Sequence, residues 1–70
     1  MPQGEIDSSE LREQDHFRHW NRALHRAVQD ATQRELKVGE TATFAVEMQL
    51  TITRENPGWA DGYKIVLTQP

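Results

Sequence analysis

Along TATFAVEMQLTITR, residues 41–54, every second side chain is apolar: Ala42, Phe44, Val46, Met48, Leu50 and Ile52. The positions between them are polar apart from Ala45: Thr41, Thr43, Glu47, Gln49, Thr51 and Thr53. Successive side chains of an extended strand point to opposite faces, so a period of two marks a strand with one face to bury. A helix would scatter the same residues around its axis. Whatever else the chain forms must cover that face.

A second strand follows in GYKIVLTQ, where Tyr63, Ile65 and Leu67 repeat the alternation. Between the two lies RENPGWAD. Pro57-Gly58 suits the centre of a type II turn, and Asp61-Gly62 supplies a second tight turn with Gly62 left-handed. The expected hairpin has a strand at about 41–54, a loop at 55–62 and a strand at about 62–69. Closing it with Arg54 opposite Tyr63 sets Ile52 against Ile65, Leu50 against Leu67 and Met48 against Gln69. This register keeps the apolar positions on one side. It leaves residues 41–47 without a partner nearby in the sequence.

The preceding half has the helical period. Phe17, Trp20, Leu24, Ala27, Val28 and Ala31 fall within an arc of about 100° at 100° per residue. Asp7 or Ser8 offers a cap, Glu10 and Glu13 follow in the next turn, and Gly39 stands beyond the expected end at Glu35 or Leu36. A helix at about 8–36 results. Residues 1–7 hold one apolar side chain besides Met1, namely Ile6, along with Pro2 and Gly4. They are expected to form a flexible tail. The fold class is therefore α+β, a single small domain at 8–70 with one long amphipathic helix packed on an antiparallel β-hairpin.

Seventy residues without cysteine have neither disulfides nor thiolate metal sites to lean on. A core of this size supplies no more than ~3–5 kcal/mol by itself. The unpaired half of the first strand is an aggregation hazard unless covered. Thr43, Phe44, Ala45 and Val46 are thus the expected self-association strand. Ala45 would lie near a twofold axis, and two hairpins would complete one four-stranded sheet. A homo-oligomer is expected, with a dimer favoured.

The net charge of −3 is unevenly spread. Residues 1–15 are acidic, residues 16–37 basic, and the remainder mildly acidic. Arg18, Arg22 and Arg26, with His25, form a basic stripe on the helix that would meet phosphates. The chain as a whole is acidic, however, and the sheet offers no aromatic-interleaved basic surface of the kind single-strand binders use. Nucleic-acid binding through this stripe is accordingly a second alternative, behind a solvated face or a pairing with the acidic head of a neighbouring chain.

Asp15, His16 and His19 have a spacing that suits zinc. No second cluster completes a ligand set, and His25 lies roughly 120° around the helix from His19. The histidines are read as solvated flank residues, and no metal or other cofactor is expected. Catalytic nucleophiles are poorly represented: the two serines, Ser8 and Ser9, are adjacent at the expected cap, and glycines at 4, 39, 58 and 62 form no phosphate loop. The chain is read as non-enzymatic.

Trp20 belongs to the helix stripe and to the core. Trp59, held between two turns, covers one end of the core or contacts a partner. The element content is similar to that of several small oligomeric binding modules. Dodecins, for example, place a helix on a three-stranded sheet and hold flavin between subunits. The chain offers no strand before its helix, so the comparison stops at the first element and transfers no site. The reading is a small non-enzymatic protein-interaction or accessory module acting as a homo-oligomer, with an unidentified protein as a further partner. The alternative is a small-molecule-binding oligomer with its ligand between subunits near Trp59 and Tyr63. MPQGEIDSSE has no signal-like apolar run, and nothing approaches the ~20 apolar residues of a membrane span. A cytoplasmic protein without membrane contact is expected.

Overall fold

Residues expected to trail as a tail form the first strand. The structure, a computed structural model, describes residues 1–11, 15–54 and 60–69. Its elements are β1 (Gln3–Ile6), a 3-10 turn (Ser8–Glu10), α1 (His16–Arg34), β2 (Ala45–Ile52) and β3 (Ala60–Thr68). The sheet is antiparallel, in the order β1-β3-β2.

Nothing in the composition of QGEI favours a strand; tertiary contacts make it one. Ile6 enters the core with no exposed surface. Leu67 N–H donates to the Pro2 carbonyl at 2.8 Å, just before the paired residues. Gly4 lies directly beneath α1: a Cβ there would overlap the Ala23 carbonyl oxygen and the Ala27 amide nitrogen. The helix thus rests on strand backbone, which a side chain at this position would prevent.

That contact also selects the face of α1. The buried residues are His19, Ala23, Ala27 and Ala31, one row at four-residue spacing. The apolar stripe expected to face the core is therefore rotated. Ala27 and Ala31 are buried and Trp20 packs partly against the core, but Phe17, Leu24 and Val28 are exposed. Small side chains win the central row because the helix approaches so closely; larger ones are displaced to its flank.

Asp7 does cap, but it caps the 3-10 turn, with Ser9 N–H bonded to its side chain and the Glu10 carboxylate returning to its N–H. α1 starts later than expected, with Asp15 as N-cap accepting from Arg18 N–H at 3.1 Å, and stops at Arg34. Glu13 lies outside the described residues.

The hairpin forms in a different register. Leu50 faces Tyr63, Met48 faces Ile65 and Val46 faces Leu67. The slip from the expected pairing is even, so every side chain keeps its face. An irregularity between Thr51 and Ile52 sets Ile52 opposite Ala60. Asp61 and Gly62 belong to β3, and among the described residues only Gly39, at φ 86°, is left-handed. The turn expected at Pro57-Gly58 lies outside the described residues.

This register removes the bare half-strand. β2 starts at Ala45, opposite Thr68, and is paired with β3 along its length, ending with Ile52 opposite Ala60. Thr43 and Phe44 precede the strand, and Phe44 is partly buried against the core. The core itself joins Ile6, three alanines of α1, Ala60, Tyr63, Ile65 and Leu67.

Candidate functional site: an apolar face beside the helix

A helix with its side chains is ~10 Å across, whereas strands lie ~4.8 Å apart, so one helix covers two strands well and a third poorly. α1 packs on β1 and β3. The side chains of β2 that point to the same side therefore remain open: Val46 is 53 % exposed, Met48 56 %, Leu50 47 % and Ile52 64 %. The flank of α1 continues the patch, with Phe17 90 % exposed, Val28 48 % and Leu24 38 %. Together these residues form an exposed apolar surface of the kind that marks an interaction site rather than scattered single side chains.

Between the helix flank and β2 the patch deepens into a cleft of about 320 Å³. Phe17, Trp20, Leu24, Val46, Met48 and Ile65 line it, and Asn21 is the one polar residue among them. Two elements place these residues. The alternation of β2 aims Val46 and Met48 at the helix side, and α1 presents Phe17, Trp20 and Leu24 at steps of three and four.

Behind the cleft stands an aromatic cluster. Trp20 meets Tyr63 edge-on, with ring centroids 4.9 Å apart and planes at 86°. His19, 2 % exposed, lies 5.2 Å from the same ring. His16 Nδ1 shares a hydrogen bond with the Tyr63 hydroxyl. Burial pushes the Tyr63 hydroxyl above its ordinary pKa, and the negative charge of Asp15 adds to the shift. It stays neutral across the physiological range.

The expected contact residues are distributed differently from the sequence reading. Tyr63 is wholly buried inside one chain. Trp59 lies outside the described residues. Arg22 and Arg26 turn to Glu10: Arg26 meets both carboxylate oxygens, at 2.9 and 2.5 Å, and Arg22 approaches to 3.7 Å. The hydrogen bond from Arg26 is the main reason the Glu10 carboxyl is held at about 2. The acidic head thus neutralises the basic stripe of its own chain. Arg18 lies at the exposed start of α1, its amide on the Asp15 cap. Of the expected self-association strand, Ala45 and Val46 begin β2, and Thr43 and Phe44 do not belong to it.

Of the two histidines expected to be solvated, His16 is exposed but bonds the Tyr63 hydroxyl, and His19 is buried. Asp15 is occupied as a helix cap. Among the described residues no three histidines, cysteines or carboxylates gather as metal ligands. No helix among them is long and apolar enough to cross a membrane. The cleft itself escaped sequence reasoning, although two signals pointed to it: a strand face with six apolar residues, and a single helix to cover it.

Fold and site together define a one-helix, three-stranded α+β protein with an open apolar face. Comparison with protein-family models, curated proteins and solved structures gives no match. The leading strand whose absence set dodecins apart is present as β1, yet no residue role passes from that family to this chain.

Proposed function

We propose that the chain is a non-enzymatic interaction module that works as a homo-oligomer, with the face shared by β2 and α1 as its contact surface. The observation that carries this reading is the uninterrupted apolar patch from Ile52 to Phe17, half-exposed or more over most of its length.

A second copy suits the patch better than a small ligand. The patch offers both a bare strand face, which needs a helix flank, and a bare helix flank, which needs a strand face. Such a surface is complementary to itself under a twofold rotation. A ligand in the cleft would find little beyond Asn21 to fix its orientation, whereas small-molecule sites combine apolar walls with several placed polar groups.

Sedimentation equilibrium across micromolar to millimolar concentration tests the reading. The wild-type chain is expected at the mass of two copies or more. Phe17→Glu, which alters a 90 % exposed side chain and so spares the core, is expected to lower the association constant at least tenfold with unchanged circular dichroism. A wild-type chain that stays monomeric at millimolar concentration rejects it.

A further inference from the structure

The sheet has two edges, and they are finished differently. On β1 two of the outward backbone groups are taken by helix side chains: Asp30 Oδ2 accepts from Gln3 N–H at 3.1 Å, and Arg26 Nη1 donates to the Glu5 carbonyl at 2.7 Å. Such capping closes an edge against further strands. β2 forms the other edge.

The direction of its backbone groups follows from the ladder. Leu67 N–H reaches the Pro2 carbonyl. With Gln3 opposite Val66, that bond makes Gly4 and Ile65 a pair that exchanges both hydrogen bonds. Ile65 therefore spends its N–H and C=O on β1. Met48, which faces Ile65 from the other side, must direct its own N–H and C=O away from β3. The same alternation sends those of Val46 and Leu50 outward. The residues with the barest apolar side chains thus also present the free backbone groups.

We infer that a second copy adds to this edge, antiparallel, about a twofold axis through Met48. The inference rests on the homo-oligomer proposed above and names the contact. The sequence of β2 reads almost the same in both directions from that residue. Phe44 comes opposite Ile52 of the partner subunit, Val46 opposite Leu50 and Met48 opposite itself. On the other face Glu47 meets Gln49, Ala45 meets Thr51 and Thr43 meets Thr53. Moving the axis to Glu47 sets two carboxylates against each other, a destabilising cross-strand pair. Moving it to Gln49 sets Phe44 against Arg54. Of these three axes, only Met48 matches the apolar side chains from Phe44 to Ile52 and keeps like charges apart.

The product is a six-stranded sheet with both helices on one side. The apolar rows of the two β2 strands then run side by side between the helices, doubling the floor of the patch on which the face contact is built.

The chain has no cysteine, so a single introduced thiol reports on the edge cleanly. Opposed residues of a pair that exchanges hydrogen bonds have Cα atoms ~5.5 Å apart, within the range a disulfide spans. Met48→Cys is expected to cross-link into a covalent dimer under mild oxidation at least tenfold faster than Gln3→Cys on the closed edge. Met48→Pro supplies the second measurement. Its lost N–H points away from β3, so the fold survives in circular dichroism, whereas the added strand does not form. It is expected to associate at least tenfold more weakly than Met48→Ala, which removes the same side chain and keeps the N–H. Equal cross-linking rates for the two cysteines in a wild-type chain that is still oligomeric overturn the edge contact and leave the face contact standing. A monomeric wild type overturns both.

Discussion

At Gly4, α1 and the sheet approach each other through backbone. An added methyl group would overlap the Ala23 carbonyl oxygen and the Ala27 amide nitrogen, with Arg26 Cβ at 2.9 Å as the third neighbour. Neither backbone atom can rotate away as a flexible side chain would, so the whole helix must lift. Gly4→Ala is expected to destabilise the chain by about 3 kcal/mol, at the upper end of overpacking costs. Urea unfolding followed by the near-ultraviolet signal of the buried Tyr63 measures it. A loss below about 0.5 kcal/mol, the size of an ordinary surface substitution, refutes the contact. At this scale the sequence is ambiguous for a physical reason. Glycine reads as a chain breaker when its neighbours are polar, and only the opposing helix reveals it as a packing residue. Trp20 was legible as a core residue because its periodicity agrees with its packing, whereas Tyr63, read as a contact residue, is wholly buried. His19 was not legible, since a buried imidazole beside a tyrosine leaves no signature in spacing.

Glu10 joins the 3-10 turn to α1 through Arg26, and the pairing gives this junction a pH dependence. Its carboxyl titrates at about 2 in the folded chain against an ordinary value of 4.5. A depressed carboxyl pKa means stability that is complete above 4.5 and lost as the pH falls through about 2. Arg26 keeps 40 % of its side chain exposed and Glu10 27 %, so solvent screening reduces the contribution to about 1 kcal/mol. Glu10→Gln retains an acceptor for the Asp7 N–H, and removes the charge together with one of the two oxygens that accept from Arg26. The wild type is expected to exceed this variant by about that amount at pH 7, and the gap should close between pH 4.5 and about 2. Thermal melts of both proteins across that range decide it; a gap that persists at pH 2 assigns the difference to something other than the charge. The elements themselves were partly readable, a helix and two strands with the strand faces. The start of the helix and its buried row were not, since Asp7 caps the 3-10 turn and α1 begins after Asp15 and buries His19, Ala23, Ala27 and Ala31. The register of β2 against β3 was not, because every even slip preserves the apolar match, and what selects among them is the irregularity opposite Ala60. β1 was unreadable because its strand character comes from Leu67, Arg26 and Asp30, all distant in sequence.

Over the whole molecule, stability and assembly divide between the two sides of β3. On one side β1 and α1 complete the core; on the other β2 carries apolar surface outward. If the first six residues were a tail, their removal would change little. They instead hold Ile6, one of the three largest fully buried side chains among the described residues, and the strand beside the central β3. Loss of a buried isoleucine side chain alone costs ~2–5 kcal/mol, comparable to the ~3–5 kcal/mol that a core of this size supplies. Removal would further strip hydrogen-bond partners from Arg26 and Asp30 and expose β3 as a second open edge. The chain lacking residues 1–6 is therefore expected to lose its cooperative thermal transition and to aggregate without order, even at concentrations where the intact chain assembles into species of defined mass. Calorimetry and light scattering on both chains measure the difference. A truncated chain that melts within a few degrees of the intact one would place the core in α1, β2 and β3 alone, and the division of labour across β3 would have to be abandoned.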